Sequence, residues 1–185
     1  AGNIANGSPV ADMPPVLMVL NAGIVLRKGD RRRTVLLDEF YSGYKETILE
    51  QSEFIESIYI PKPFCGKTLR AYKISKRIDD DISSCSIAIS VECEGEIITS
   101  ARIACGGMSE IPKRAIHCED SLVGARWSEQ AFVEAAKKME DDFTPITDAR
   151  ASDLYRMAVS KNLLKRYWLE LDSQTDFSFR TQDYE

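Results

Sequence analysis

An α+β fold is the class this sequence predicts, and three observations predict it. Paired apolar runs flank glycine-containing turns through the first two-thirds of the chain. From Cys85 to Cys93 every odd position is apolar and every even one small or polar, and the alternation resumes after Glu94-Gly95-Glu96. Long helical periodicity is confined to the last third, so strands and helices are segregated along the chain.

Taken in order, residues 2–12 (GNIANGSPVAD) are dense in turn chemistry. Gly and Asn tolerate positive φ, so their backbone N–H groups can gather into a concavity that suits phosphate oxygens. The alternative is a frayed Gly/Asn-rich terminus. Asp12 stands as the N-cap of a short helix over 12–20, with Pro14 and Pro15 in its first turn. Ile24-Val25-Leu26 and Arg33 to Leu37 flank the turn Lys28-Gly29-Asp30 and form a hairpin. Phe54 to Ile60 reads as a strand apolar on both sides and buried in a sheet. Pro61 to Gly66, with two prolines and a glycine, cannot continue a ladder and marks a domain boundary. Leu69 to Ile74 is a strand. The stretch 85–105 is an antiparallel hairpin with one packed face and one lighter face, its apolar side continuing through Ile97, Ala101, Ile103 and Cys105. Ser128 caps a helix with Phe132, Ala135, Ala136 and Met139 on one face. A second helix presents Ala151, Tyr155, Val159, Leu163, Tyr167 and Leu171 as a ridge, widened by Leu164 and Trp168. The segment after Asp172 is polar, aperiodic and flexible by expectation.

Charge and composition exclude several classes. With 24 Lys+Arg against 29 Asp+Glu and no long block of one sign, there is no electrostatic footprint for nucleic acid. The longest apolar run, Val16 to Leu20, is far short of a membrane span. Five cysteines without a CxxC do not make a zinc or iron–sulfur ligand set, and fit reduced, buried thiols of a cytoplasmic protein. The single histidine, His117, is a turn or surface residue with no nucleophile motif near it.

Six segments in order resemble the flavin subunit of xanthine dehydrogenase and its molybdenum hydroxylase relatives, which include the medium subunit of aerobic carbon monoxide dehydrogenase. They are GNIANGSPVAD (2–12), GYKETIL (43–49), FIESIYIP (54–61), YKISKRIDDDIS (72–83), GGMSEIPKRA (106–115) and ITDARASDLYRMAVSKNLLKRYWLE (146–170). The last two are most similar to the small subunit of bacterial xanthine dehydrogenase. The chain opens on the first motif without an initiator Met, which suggests that an N-terminal portion is missing.

The resemblance implies the C-terminal lobe of a two-lobed FAD-binding domain over 1–64, then, over 65–172, a three-stranded antiparallel sheet packed on a helical bundle, and a tail over 173–185. It implies an oxidoreductase in which electrons pass from a molybdopterin site through two [2Fe-2S] clusters to FAD and on to NAD⁺. Molybdopterin and the clusters would lie in a molybdopterin-binding large subunit and a [2Fe-2S] domain or subunit, giving a hetero-oligomer. The FAD site in this chain would be incomplete, because the family's Gly-rich pyrophosphate loop sits in a preceding lobe.

Residue roles follow from the same resemblance. Gly2 and Asn3, with Ala5 and Asn6, match the segment that approaches the flavin pyrophosphate. Asp12 matches the carboxylate that binds ribityl or ribose hydroxyls, as well as being a helix cap. Ile55 matches a strand position whose backbone meets the flavin ring, or is an ordinary core residue. Lys73 matches a lysine at the pyrimidine end of the ring, where a cation favours the reduced form; otherwise it is a solvated strand lysine. Tyr44 and Asp80 fall on the nicotinamide side, against the alternatives of hairpin packing and a solvated turn. No residue of this chain would be catalytic or bind metal. A second reading, from another class, is a subunit-assembly module of the same fold that binds no flavin; a yellow or a colourless native complex separates the two.

Overall fold

In the computed structural model, which describes residues 2–62, 68–77 and 81–172, the chain builds two apolar cores against opposite faces of one sheet. A single helical turn, α1 (Gly2–Ala5), leads into α2 (Met13–Val19). The expected hairpin follows as β1 (Gly23–Lys28) and β2 (Arg31–Leu36), in register from Gly23↔Leu36 to Lys28↔Arg31. Gly29 takes φ 58° at its tip, a conformation open to glycine without a Cβ penalty. A 3-10 turn (Leu37–Glu39) and the small ribbon β3 (Tyr41–Gly43) and β4 (Glu46–Thr47) carry the chain to β5 (Phe54–Tyr59).

The sequence placed β5 inside a sheet with both sides buried. It is instead an edge strand, in the order β2-β1-β5, and Phe54 and Tyr59 are exposed. The central place belongs to β1, whose Ile24 and Leu26 are fully buried. Strict alternation along β5 also fails, for a local reason. Val25↔Ser57 is followed by Leu26↔Ile55, so Glu56 is the extra residue of a bulge. The bulge changes parity, letting both Ile55 and Ile58 pack on the core while Glu56 meets Arg27 and Arg32 at 2.7 Å each.

The second sheet runs β6 (Arg70–Ile74), β7 (Cys85–Glu94), β8 (Ile97–Gly106), β9 (Lys113–Arg114), all antiparallel. It gains a short fourth strand over the expected three. The β7–β8 register pairs Ile87↔Cys105 and Ile89↔Ile103 on one face, Ser86↔Gly106 and Ala88↔Ala104 on the other. A bulge at Thr99 shifts the odd-position pattern: Ile98 is buried and Ile97 is exposed, the reverse of the simple alternation.

Three helices cover the Ile-rich face. A short helix that the sequence pattern did not predict, α3 (Ile116–Leu122), precedes α4 (Glu129–Asp142) and α5 (Asp153–Leu171). Ser128 and Ser152 cap the latter two, accepting from the backbone N–H groups of Ala131 and Tyr155. Phe132, Ala135, Ala136 and Met139 are buried as expected. The ridge on α5 is corrected at its start. Arg156 and Ser160 face inward with Leu163, Leu164 and Tyr167, and Tyr155 is exposed. His117 is not in a turn but in the first turn of α3, its exposed ring 2.9 Å from Asp142. Among the described cysteines all four are unbridged; Cys85, Cys105 and Cys118 are buried and Cys93 is exposed. Burial pushes the Cys118 thiol well up, which suits an inert packing role. The expected boundary at 61–66 and the tail at 173–185 fall largely outside the described residues.

Candidate functional site

The opening motif is held by contacts that explain its residue types. Asn6 and Gly7 N–H groups donate back to the carbonyls of Gly2 and Ile4, closing α1. Ile4 is buried, and the Tyr41 hydroxyl donates to its carbonyl at 3.2 Å. Gly7 has φ 60°, and a Cβ there would stand 3.0 Å from the Lys45 backbone. Only glycine combines that φ with that approach.

Asp12 makes no N-cap bond to α2, contrary to the sequence reading. The side chain of Asn3 supplies it, its Oδ1 accepting from the Met13 N–H at 3.2 Å. Relieved of capping, the Asp12 carboxylate turns to the second sheet. Its Oδ2 accepts from Lys73 Nζ at 2.9 Å, and its Oδ1 accepts from the buried Ser83 hydroxyl. Asn3, Asn6, Ser8, Asp12, Lys73 and Asp81 thus line one open depression of about 370 Å³. It presents amide, hydroxyl, carboxylate and ammonium groups together. Such a set suits a polyhydroxyl chain and its phosphates, since a carboxylate accepts from neighbouring O–H donors and amides donate to phosphate oxygens.

A second depression of about 430 Å³ lies on the other side of the 8–12 loop, with Tyr44 on its rim and Gly107, Asp148 and Arg156 in its wall. Tyr44 is exposed, with the Lys45 ammonium 5.5 Å from its ring centre. The remaining expected positions are apart from both. Gly2 and Ala5 are exposed on α1 without lining the first depression, and Ile55 is half-buried against the core beside Leu26. Asp80 lies outside the described residues. Among those residues no group of three or more His, Cys, Asp or Glu could hold a metal ion. No helix among them is long and apolar enough to cross a membrane.

Sequence reasoning missed Ser83, Gly106–Gly107 and Arg156. Gly107 N–H donates to the Pro9 carbonyl at 2.6 Å, and a Cβ on Gly106 would fall 3.1 Å from the Ala11 carbonyl. The paired glycines of GGMSEIPKRA therefore admit the opening loop onto the sheet. For Arg156 the available signal was its helical spacing from Leu163 and Tyr167, which puts it on their face.

Comparison with known proteins assigns a family to each part of the chain. Residues 1–63 match the family model for the FAD binding domain in molybdopterin dehydrogenase, and residues 70–171 that for the CO dehydrogenase flavoprotein C-terminal domain. The chain is 31% identical over 182 residues to a xanthine dehydrogenase of Emericella nidulans, covering 95% of this chain and 13% of that protein. It is 31% identical over 170 residues to the glyceraldehyde dehydrogenase medium chain of Sulfolobus acidocaldarius, covering 92% of this chain and 60% of that one. A chain of carbon monoxide dehydrogenase from Hydrogenophaga pseudoflava superposes with a TM-score of 0.84 at 28% identity, covering 89% of this chain and 57% of that one. The chain thus spans little more than half the length of its medium-chain relative and a small fraction of the xanthine dehydrogenase. It belongs to the FAD-binding flavoprotein family of the molybdenum hydroxylases, joining the FAD-binding and CO dehydrogenase flavoprotein C-terminal domains in that order.

Proposed function

We propose that this chain is the electron-transfer part of a xanthine-dehydrogenase-type oxidoreductase, working between [2Fe-2S] clusters and NAD⁺. Its partners are then a molybdopterin-binding large subunit and a [2Fe-2S] domain or subunit. The observation that carries the reading is the convergence of Asn3, Asp12 and Lys73 on one polar depression. FAD, when bound, supplies a carrier able to exchange one or two electrons. The chain's own residues hold and tune it. Asn3 and Asn6 would meet the pyrophosphate and Asp12 would accept from hydroxyls, whereas Gly2 and Ala5 on α1 and Ile55 beside Leu26, which do not line the depression, would approach the flavin only through their backbone. Lys73 lends positive charge to the ring end, attenuated by its 2.9 Å partnership with Asp12. Tyr44, on the neighbouring depression, would border the nicotinamide side, to which the family resemblance also assigns Asp80. Residues 1–64 would serve as the flavin lobe and 65–172 as the C-terminal domain.

The test is Lys73→Ala in the full-length flavoprotein. Flavin content should hold while the midpoint potential falls by about 20–40 mV, because only the ring changes charge on reduction. A yellow parent whose variant keeps an unchanged potential removes Lys73 from the ring. A colourless native complex with intact subunits removes the flavin reading and favours a pure assembly module.

A further inference from the structure

The ITDARAS segment and the start of α5 lie outside the polar depression, yet they carry the most deeply buried cation among the described residues. Arg156 is 1% exposed. Its Nη1 donates to the carbonyls of Ser84 and of Gly107, the latter at 3.0 Å, and its Nη2 donates to Asp148 at 2.6 Å. Asp148 is itself held by the backbone N–H groups of Arg150 and Ala151 at 2.8 and 3.1 Å. Burying a guanidinium is costly, and packing alone would be served better by Leu or Met at this helical position.

Both carbonyls that Arg156 grips sit next to the groups that grip the opening loop. Ser84 follows Ser83, whose hydroxyl holds the Asp12 carboxylate. Gly107 donates its own N–H to the Pro9 carbonyl at 2.6 Å, and its φ of 78° leaves its carbonyl and N–H free to work on opposite sides. The same segment is tied a second time to the loop bordering the depression, through Lys76 Nζ and the Ala149 carbonyl at 2.8 Å. One planar fork therefore joins α5 to the residues that flank the paired ends of β7 and β8, and these in turn hold the loop 8–12, Gly107 through its own N–H and Ser84 through the neighbouring Ser83. Lysine, with a single charged centre, could not reach two carbonyls and a carboxylate with the same fixed geometry.

We propose that Arg156 is a positioning residue for the flavin segment: from the C-terminal helical layer it sets the placement of Asp12 and of the 8–12 loop. This rests on the flavin reading of the depression, so the experiment has one arm that needs no flavin. In the full-length flavoprotein, Arg156→Lys should raise the FAD dissociation constant about tenfold and change the visible circular dichroism of bound flavin. In the flavin-free protein it should speed amide exchange in peptides covering Pro9–Asp12 and Gly107, with exchange in α4 unchanged. Asp148→Asn, at the less buried end of the fork, should move the same readouts about threefold, and it stands in if the lysine variant does not fold. Unchanged affinity, dichroism and local exchange would overturn the proposal. So would a uniform rise in exchange across α4, α5 and the sheet, which would make Arg156 a general stabiliser. If the parent protein itself binds no FAD, the flavin reading falls, while the exchange arm still decides whether Arg156 sets the loop.

Discussion

On one face of the β7–β8 hairpin, Ile87, Ile89, Val91 and Ile103 meet Phe132, Met139, Leu164 and Tyr167 of the helical layer. On the other, Ala88 and Ala104 join Leu17, Met18 and Ile24 in the core of the opening lobe. Large side chains build the first interface. In the second, small ones bring backbones together, until at Gly106 a Cβ would approach the Ser86 hydroxyl within 2.7 Å. Polar groups finish the small-residue side. Arg102 donates to the Met18 carbonyl at the C-terminal end of α2, at 2.7 Å, and lies 3.6 Å from Asp38. Arg114 bridges Asp38 and Glu119, whose carboxyl also accepts from the Ile103 N–H at 2.7 Å. The large face therefore gains stability from area, and the small face gains position from close approach. A site that depends on where a loop sits uses the second kind.

The comparison is broken most severely from the large face. Phe132 is fully buried and meets Trp127 edge-on at 4.9 Å, so Phe132→Ala should cost about 3–5 kcal/mol in denaturant unfolding. On the small face the injury has the opposite sign of volume. Ala88→Leu inserts methylenes where α2 crosses the sheet and should cost about 1–3 kcal/mol, with FAD binding weakened out of proportion. A smaller penalty for Phe132→Ala than for Ala88→Leu would show that the two faces had been ranked wrongly.

Why one face was legible in the sequence and the other was not follows from the same difference. Ile87, Ile89 and Val91 announce a buried face through hydropathy, and Phe132, Ala135, Ala136 and Met139 announce the helix that covers it. Ser86, Ala88 and Ser90 carry the signature of a lighter, wetter surface, and hydropathy has no symbol for two backbones in contact. Parity is equally local. The bulges at Glu56 and Thr99 reverse the alternation for residues such as Ile58 and Ile98, and nothing in composition marks a bulge. At the candidate site, Asn3, Asp12 and Lys73 were readable through motif resemblance. That Asn3 takes over the cap and frees Asp12 depends on ten residues of loop closing back on themselves. Arg156 and Ser160 were passed over because polar residues on a helix are ordinarily read as its solvent face.

Acid should divide the molecule along the same line. Arg33 beside Glu53 and Arg32 beside Glu56 hold these carboxyls down to about 2, tying β2 to β5 and to the residue that precedes it. A carboxyl whose folded pKa is depressed stabilises the fold above its unfolded value and loses that contribution as pH falls through the folded one. Protection of the β5 amides, measured as exchange relative to the intrinsic rate at each pH, should therefore fall between about pH 4.5 and pH 2. Trp127 and Trp168 both pack on the helical core, so their emission reports the Ile-rich face of the β6–β9 sheet. It should hold steady through the first part of that fall. Tryptophan emission moving in step with β5 exchange would mean that the two cores unfold as one.

The smallest effect belongs to a single atom on the small face. Ser86 is 4% exposed, and its hydroxyl is buried without a hydrogen-bond partner in the structure, close beside Gly106. A buried hydroxyl with no partner has surrendered its water bonds for nothing, so removing it should release that penalty. Ser86→Ala keeps the volume of the position nearly intact and makes no new contact with α2. Stability should therefore stay within about 0.5 kcal/mol of the parent or rise, and FAD retention should not change. Had close approach been only a by-product of polar pairing across this face, the serine would be essential to it. A loss of more than about 1 kcal/mol in unfolding would assign the hydroxyl a bond and make the small face a polar interface instead of a steric one.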